Sequence, residues 1–211
     1  MGKMKEDREK RLISRDAARV AEILREDRGI VAVPTETVFG LAVGLDGYNS
    51  LSQLIRLKER QAGSGKVFTL VPNRVEEIGR YGVVNEVAER LIEEYVPGEL
   101  TVILPKNPGF SHRYFDHFQT VGVRIPRDEF ILTLLEEYGE PILLTSANRR
   151  GKTALKTAAE VLGEFTAAEV PFVVGGVAGG ARPSTVVDCT GEGVRVLRGG
   201  GVKILDGKDF C

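Results

Sequence analysis

A charge inside an apolar strand has to be explained, and Arg124 is such a charge. It stands in Val121-Gly-Val-Arg-Ile-Pro126, a stretch of strand character, where a guanidinium needs an internal partner or a ligand anion. A ligand anion is the expectation. Other polar residues sit at the ends of apolar runs. Pro34-Thr35-Glu36-Thr37 follows the first strand, Lys58-x-Arg60 ends a helix, and Thr101 lies at a strand opening after Pro97-Gly98. Ser146-Ala-Asn148 ends another strand, Ser184-Thr185 opens one, and Arg198-Gly-Gly200 closes the last. Taken singly, each has a plain reading: Thr35 a turn cap, Lys58 and Arg60 a solvated helix end, Asn148 a turn former.

Other chemistries fail on spacing. Gly63-Ser64-Gly65-Lys66 suggests a phosphate loop, but that motif needs Gly at 60 and Ser or Thr at 67, where this chain has Arg60 and Val67. His112 and His117 are the only histidines. No Cys or acidic cluster accompanies them at ligand spacing, so solvated loop histidines are expected and no metal site. No Gly-x-Ser-x-Gly elbow is present. The 211 residues carry 29 Lys+Arg against 30 Asp+Glu, which argues against a globally basic nucleic-acid binder. A hydrophobic content of 42% excludes disorder. No apolar run approaches the roughly 18 residues of a membrane-spanning helix. Cys189 and Cys211 make no disulfide framework, and residues 1–28 lack a signal peptide's apolar core, so a cytoplasmic location is expected.

The elements that must position these residues alternate in period. Helical spacing marks Ala17, Val20, Ala21 and Leu24, then 50–60, then Val87 to Tyr95, and then Glu129–Tyr138 between Asp128 and Gly139. Thr157 with Glu160, and Asn73 with Glu76, each read as a capping box. Strands are expected at 30–33, 67–71, 100–104, 121–125, 142–145, 172–174, 185–188 and 194–197. The pattern predicts an α/β (mixed α+β) unit with helices covering a mixed sheet. Its bounds are residues 14–202, preceded by a charged extension at 1–13 and followed by a tail at 203–211.

Together these segments resemble the YrdC/YciO family. The resemblance rests on Pro-Thr-Glu-Thr-Val-Phe-Gly-Leu (34–41), Lys58-x-Arg60, Pro-Gly-x-Leu-Thr (97–101), Val-Gly-Val-Arg-Ile-Pro (121–126), Thr-Ser-Ala-Asn (145–148), Ser-Thr-Val-Val-Asp (184–188) and Leu-Arg-x-Gly (197–200). They occur in family order across nearly the whole chain. The resemblance implies a YrdC-like twisted sheet around a concave, positively lined groove. It also implies synthesis of L-threonylcarbamoyladenylate from L-threonine, bicarbonate and ATP, with release of pyrophosphate, for the t6A modification of tRNA.

By the same resemblance Lys58 and Arg60 would be the catalytic cations. With Thr101, Ser146, Asn148 and Arg198 they would bind ATP, while Thr35, Arg124 and Ser184 would hold threonine. Mg2+ would arrive mainly on the ATP phosphates. The partners implied are tRNA or double-stranded RNA and the t6A transfer machinery. Within the family, Phe68-Thr69-Leu70 looks like the YciO branch, which implies the alternative of a nucleotide- or RNA-binding protein without this reaction. Lys58-x-Arg60 and Ser146-Ala-Asn148 look like the synthase branch. Arg149-Arg150 and Gly199 depart from the family pattern. The glycine-flanked stretch 61–66 reads either as a lid over bound ATP or as a surface connection.

Overall fold

The computed structural model describes residues 2–59, 67–180 and 182–204, with side chains from residue 6 onward. Its strands are β1 (Leu12–Ile13), β2 (Val31–Val33), β3 (Gly40–Gly44), β4 (Thr69–Val71), β5 (Leu100–Pro105), β6 (Thr120–Val123), β7 (Ile142–Ser146), β8 (Phe172–Val174), β9 (Thr185–Asp188) and β10 (Arg195–Arg198). They join in one sheet in the order β1-β8-β2-β3-β7-β4-β6-β5-β9-β10. The β1–β8, β2–β8, β4–β6 and β5–β9 pairs are parallel. The remaining neighbours are antiparallel. This is the mixed sheet that the alternating pattern predicts. The helices are α1 (Gly2–Arg11), α2 (Ala17–Arg25), α3 (Tyr48–Leu57), α4 (Ile78–Tyr81), α5 (Glu86–Tyr95), α6 (Glu129–Tyr138) and α7 (Ala158–Glu164).

Strand side chains alternate between faces, and the two faces have different fates. On one, Leu41, Leu70, Leu100, Val102, Val123 and Leu143 are buried in a cluster that includes Leu51 and Leu54 of α3 and Leu91 and Ile92 of α5. On the other, Val31, Val33, Ala42, Val71, Ile142 and Leu144 pack with Ile23 and Leu24 of α2 and Phe130, Ile131 and Leu134 of α6. That second cluster takes no residue from β5, β6, β9 or β10. The uncovered part of this face is where the polar residues of interest emerge.

Local rules explain most helix ends. Asp128 accepts the Ile131 N–H at the start of α6, and Gly139, at φ 77°, closes it in the left-handed region that glycine enters freely. The Thr157–Glu160 capping box forms as expected. The helix expected over 50–60 instead runs Tyr48–Leu57. Its first turn is capped from another segment: the Asp27 carboxylate accepts the Asn49 and Ser50 N–H groups at 2.7 and 3.0 Å. Such a cap has no local sequence signal. The Asn73–Glu76 box does not form; Arg74 is extended before a short 3-10 turn at Val75–Glu77, and Asn73 Oδ1 is buried without a partner among the described residues.

Strand Gly40–Gly44 is a feature the pattern did not predict, because glycine at both ends reads as turn. Gly40 is needed there: a Cβ would lie 2.6 Å from the Leu144 side chain on the neighbouring strand. Residues 1–13, expected as an extension, carry α1 and β1, and β1 pairs with β8. The buried Arg11 guanidinium donates to the Phe165 and Val170 carbonyls. His112 is not a solvated loop residue. Its ring lies among Phe110 and Phe115, and burial pushes its pKa down.

Asp128 both caps α6 and receives Arg15 through both carboxylate oxygens at 3.0 Å. Asp128→Ala is expected to cost about 1–2 kcal/mol of unfolding free energy in urea titrations. Asp128→Asn keeps a capping oxygen and should lose less than half of that.

Candidate functional site

The open part of the sheet face forms the floor of a cavity of about 740 Å³. The floor is built from alternate residues: Thr69 of β4, Thr120 and Gly122 of β6 with Arg124 just beyond it, Thr101 and Ile103 of β5, and Val186 and Asp188 of β9. Gly122 keeps this floor low, since a Cβ there would lie 3.0 Å from Ile103. Thr35, Lys58, Ser146, Asn148, Ser184 and Arg198 also line it. Every described residue predicted for the site is therefore in one cavity. Arg60 and the 61–66 stretch lie outside the described residues.

Arg124 is buried at one end, and where a ligand anion is the expectation it has an internal partner. It pairs internally with Glu36, Nη2 to Oε1 at 3.0 Å, and its Nε donates to the Gly98 carbonyl at 3.0 Å. Nη2 also donates to Thr37 Oγ1 at 3.0 Å. Nη1 has no partner among the described residues, and Arg124 still lines the cavity. The Thr35 proton goes to the Val38 carbonyl at 2.7 Å, because a carbonyl can only accept. Thr37, 2.9 Å from Thr35, must therefore donate to Thr35 Oγ1. The result is a one-way chain, Arg124 to Thr37 to Thr35 to Val38. Thr35 is thus engaged as the turn cap of its plain reading, and it accepts the Thr37 N–H as well.

Arg198 anchors the facing wall. A register shift between Val196 and Arg198 in β10 breaks the alternation, so Leu197 and Arg198 both reach the cavity. The guanidinium donates through Nε and Nη2 to the Ser184 carbonyl at 3.0 and 2.8 Å, and through Nη2 to Ser184 Oγ at 3.1 Å. Ser184 Oγ and Thr101 Oγ1 are 2.8 Å apart. One of their two hydroxyl hydrogens serves this bond, and the other has no acceptor among the described residues. Arg198 has no carboxylate partner among the described residues. Burial pushes its pKa below the usual arginine value, and the charge of Arg124 pushes it further. The two guanidinium groups feel each other's charge across the cavity.

Lys58 follows the last turn of α3 and holds the third wall. Its ammonium donates to Ser146 O, Asn148 O and Asn148 Oδ1 at 3.0, 2.7 and 2.8 Å, while Ser146 Oγ donates to Asn148 Oδ1 at 2.8 Å. Arg149, an unusual residue at its place in the motif, points away from the cavity. It stacks over Phe165 and pairs with Glu164 and Glu169 at 3.1 and 2.8 Å. The Arg149 hydrogen bond outweighs burial and, with the Thr166 donors, holds Glu169 down at about 2 from an ordinary 4.5. Among the described residues no group of three acidic, His or Cys side chains could hold a metal ion.

The site residues that sequence reasoning missed are Glu36 and Thr37, which orient Arg124, and Glu59 and Arg150 at the cavity edge. Glu36 and Thr37 stand inside a segment already singled out, but nothing in the sequence pairs them with residue 124.

The geometry, a cationic groove on the open half of a mixed sheet, defines a class, and comparison with known proteins identifies it. The model of the family described as Sua5/YciO/YrdC, telomere recombination, matches residues 22–200, and the chain belongs to that family. It is 30% identical over 180 residues to the uncharacterized protein YciO of Escherichia coli K12, covering 85% of this chain and 86% of that one. It is 32% identical over 186 residues to the threonylcarbamoyl-AMP synthase of the same strain, covering 85% and 95%. The crystal structure of P. abyssi Sua5 complexed with L-threonine superposes with a TM-score of 0.78 at 30% identity. That match covers 90% of this chain, which spans 57% of the Sua5 chain.

The contrast between the two arginines predicts unequal costs. Arg124→Ala strands the largely buried Glu36 carboxylate and should lower stability by about 3 kcal/mol. Arg198→Ala strands no carboxylate and should cost less than about 2 kcal/mol; chemical denaturation measures both. For Glu169 the folded-state pKa lies below the unfolded one. Its contribution is therefore fully present above about 4.5 and lost as pH falls towards 2. Glu169→Gln should be less stable than the wild type at pH 7, and the difference should close across that window.

Proposed function

We propose that this protein makes L-threonylcarbamoyladenylate from L-threonine, bicarbonate and ATP, releasing pyrophosphate. The observation that carries the reading is the convergence of Arg124 and Arg198 on one cavity with a row of hydroxyls between them. Adenylation of a carbamate needs a triphosphate held in line with a weak oxygen nucleophile, and water kept off an unstable intermediate. Cations and directed donors meet that need, and Arg forks suit phosphate and carboxylate oxygens.

The charge balance supports a division of the cavity. Arg124 is already compensated by Glu36, so its free Nη1 suits a singly charged carboxylate such as that of threonine. Arg198 is uncompensated among the described residues, and with Thr101, Ser184 and the Lys58-held loop at Ser146 and Asn148 it suits the polyphosphate. Arg60 would add a further cation in this reading. The carbamate oxygen would attack the α-phosphorus as the bond to the bridging oxygen breaks, leaving with pyrophosphate. Glu59 and Asp188 are the carboxylates lining the cavity among the described residues, fewer than a metal cage needs. Mg2+ would therefore be held mainly by the ATP phosphates. The product would pass to the t6A transfer machinery and tRNA. No helix among the described residues is long and apolar enough to cross a membrane.

A second reading, a YciO-like nucleotide- or double-stranded-RNA-binding protein without this reaction, has its support in the 61–70 segment, described from residue 67, and the similarity to YciO. Within that segment Phe68 is fully buried and stacked on Tyr114 at 5.2 Å, so it acts on packing. Thr69 is the residue that reaches the cavity floor.

Incubating the protein with ATP, Mg2+, bicarbonate and a panel of amino acids, with mass spectrometry for adenylates and a pyrophosphate assay, tests the reading. Threonylcarbamoyladenylate should form with threonine, and Arg198→Ala should reduce its formation at least about tenfold. Pyrophosphate with another amino acid only would change the substrate. ATP binding with no pyrophosphate from any amino acid would leave the binding protein.

A further inference from the structure

Lys58 commits three hydrogen bonds to the 146–148 loop, so a cation free to meet the outer phosphates must come from elsewhere. Two residues after Asn148 stands Arg150, which lines the cavity and whose side chain is 75% exposed. Its one partner among the described residues is Glu59, Nη1 to Oε2 at 3.2 Å, itself 66% exposed and also lining the cavity. Each residue is held on a rigid base. Arg150 follows Arg149, which is fixed by Glu164, Glu169 and Phe165. Glu59 follows the buried Lys58 and adopts φ 50°, a left-handed conformation uncommon for a side-chain-bearing residue.

An exposed ion pair of this kind holds its partners weakly, and a polyphosphate offers Arg a stronger, bidentate partner. We propose that Arg150 is a latch for the terminal phosphates of the bound nucleotide. It rests on Glu59 when the cavity lacks a polyanion and exchanges that carboxylate for the β- and γ-phosphate oxygens, and for pyrophosphate once the nucleotide is cleaved. The proposal rests on the reading of the cavity as an ATP site and adds a residue that departs from the family pattern. Glu59 is the competitor in this exchange, so the two residues act in opposite directions on the same anion.

Calorimetric titration of wild type, Arg150→Gln, Glu59→Gln and the double variant with inorganic pyrophosphate, ATP and AMP tests the exchange. Arg150→Gln should weaken pyrophosphate and ATP about tenfold and leave AMP unchanged, since AMP has no outer phosphates. Glu59→Gln should tighten pyrophosphate and ATP, and the double variant should match Arg150→Gln. Both positions are exposed, so melting temperatures should stay near the wild type and report folding in each case. If wild type binds pyrophosphate and both single variants bind it equally well, the latch is rejected while the cavity reading stands. Equal weakening by both variants would make the pair a structural feature of the cavity edge and also reject the latch. If wild type binds none of the three ligands, the cavity reading falls together with it.

Discussion

An arginine can donate hydrogen bonds and cannot accept them, and two arginines, Arg124 buried and Arg198 exposed, bring that restriction to the cavity. Arg124 at one end, and the Val38 carbonyl at the other, fit a chain that runs one way from Thr37 to Val38. Arg198 makes Ser184 Oγ an acceptor in the same way, while the 2.8 Å bond between Ser184 and Thr101 can run in either direction. Each guanidinium is anchored through Nε and Nη2. Neither is anchored through Nη1 among the described residues. Anchoring of this kind leaves one end of each fork presented to the cavity with its rotamer already chosen, which lowers the ordering cost of taking up an anion.

Such a floor is expensive to bury, so the fold has to offset it. The means is the alternation of the strands. β5 and β6 place Thr101 and Arg124 on the cavity face while Leu100, Val102 and Val123 are fully or almost fully buried on the reverse. At about 1.5–3 kcal/mol for each large aliphatic side chain taken from water, the reverse face supplies the stability that the polar face lacks. α2 and α6 seal the same face over the neighbouring strands. Where they stop, the site begins.

How legible this was in the sequence follows from how local each signal is. The α6 bounds, the Thr157–Glu160 box and the strands at 172–174 and 185–188 rest on residues a few positions apart, and they appear where the pattern put them. The Asp27 cap of α3, the pairing of Gly40–Gly44 with β7 and the Glu36–Arg124 ion pair join distant segments, and nothing nearby in the chain announces them. Arg124 shows the difference most clearly. Its place in an apolar strand made a partner necessary, but a sequence cannot distinguish a carboxylate supplied by the chain from one supplied by a ligand. The structure contains the first, in Glu36. Arg149 and Arg150 looked alike as departures from a pattern, yet one is locked into a scaffold and the other stands at the cavity edge.

The unequal compensation of the two arginines is the last consequence of the same arrangement. Glu36 accepts from the Arg127 N–H as well as from Arg124, so it stays in place whatever enters the cavity. The Arg124 end therefore keeps a near-neutral balance, and a second negative charge placed there would meet Glu36 across the guanidinium. At the Arg198 end the guanidinium is held by a carbonyl and a hydroxyl, which carry partial charge only. The positive charge there remains uncancelled among the described residues, and partial burial together with the Arg124 charge lowers its pKa. The two ends of one cavity thus differ in charge balance, a carboxylate-paired guanidinium at one and a guanidinium without a carboxylate among the described residues at the other.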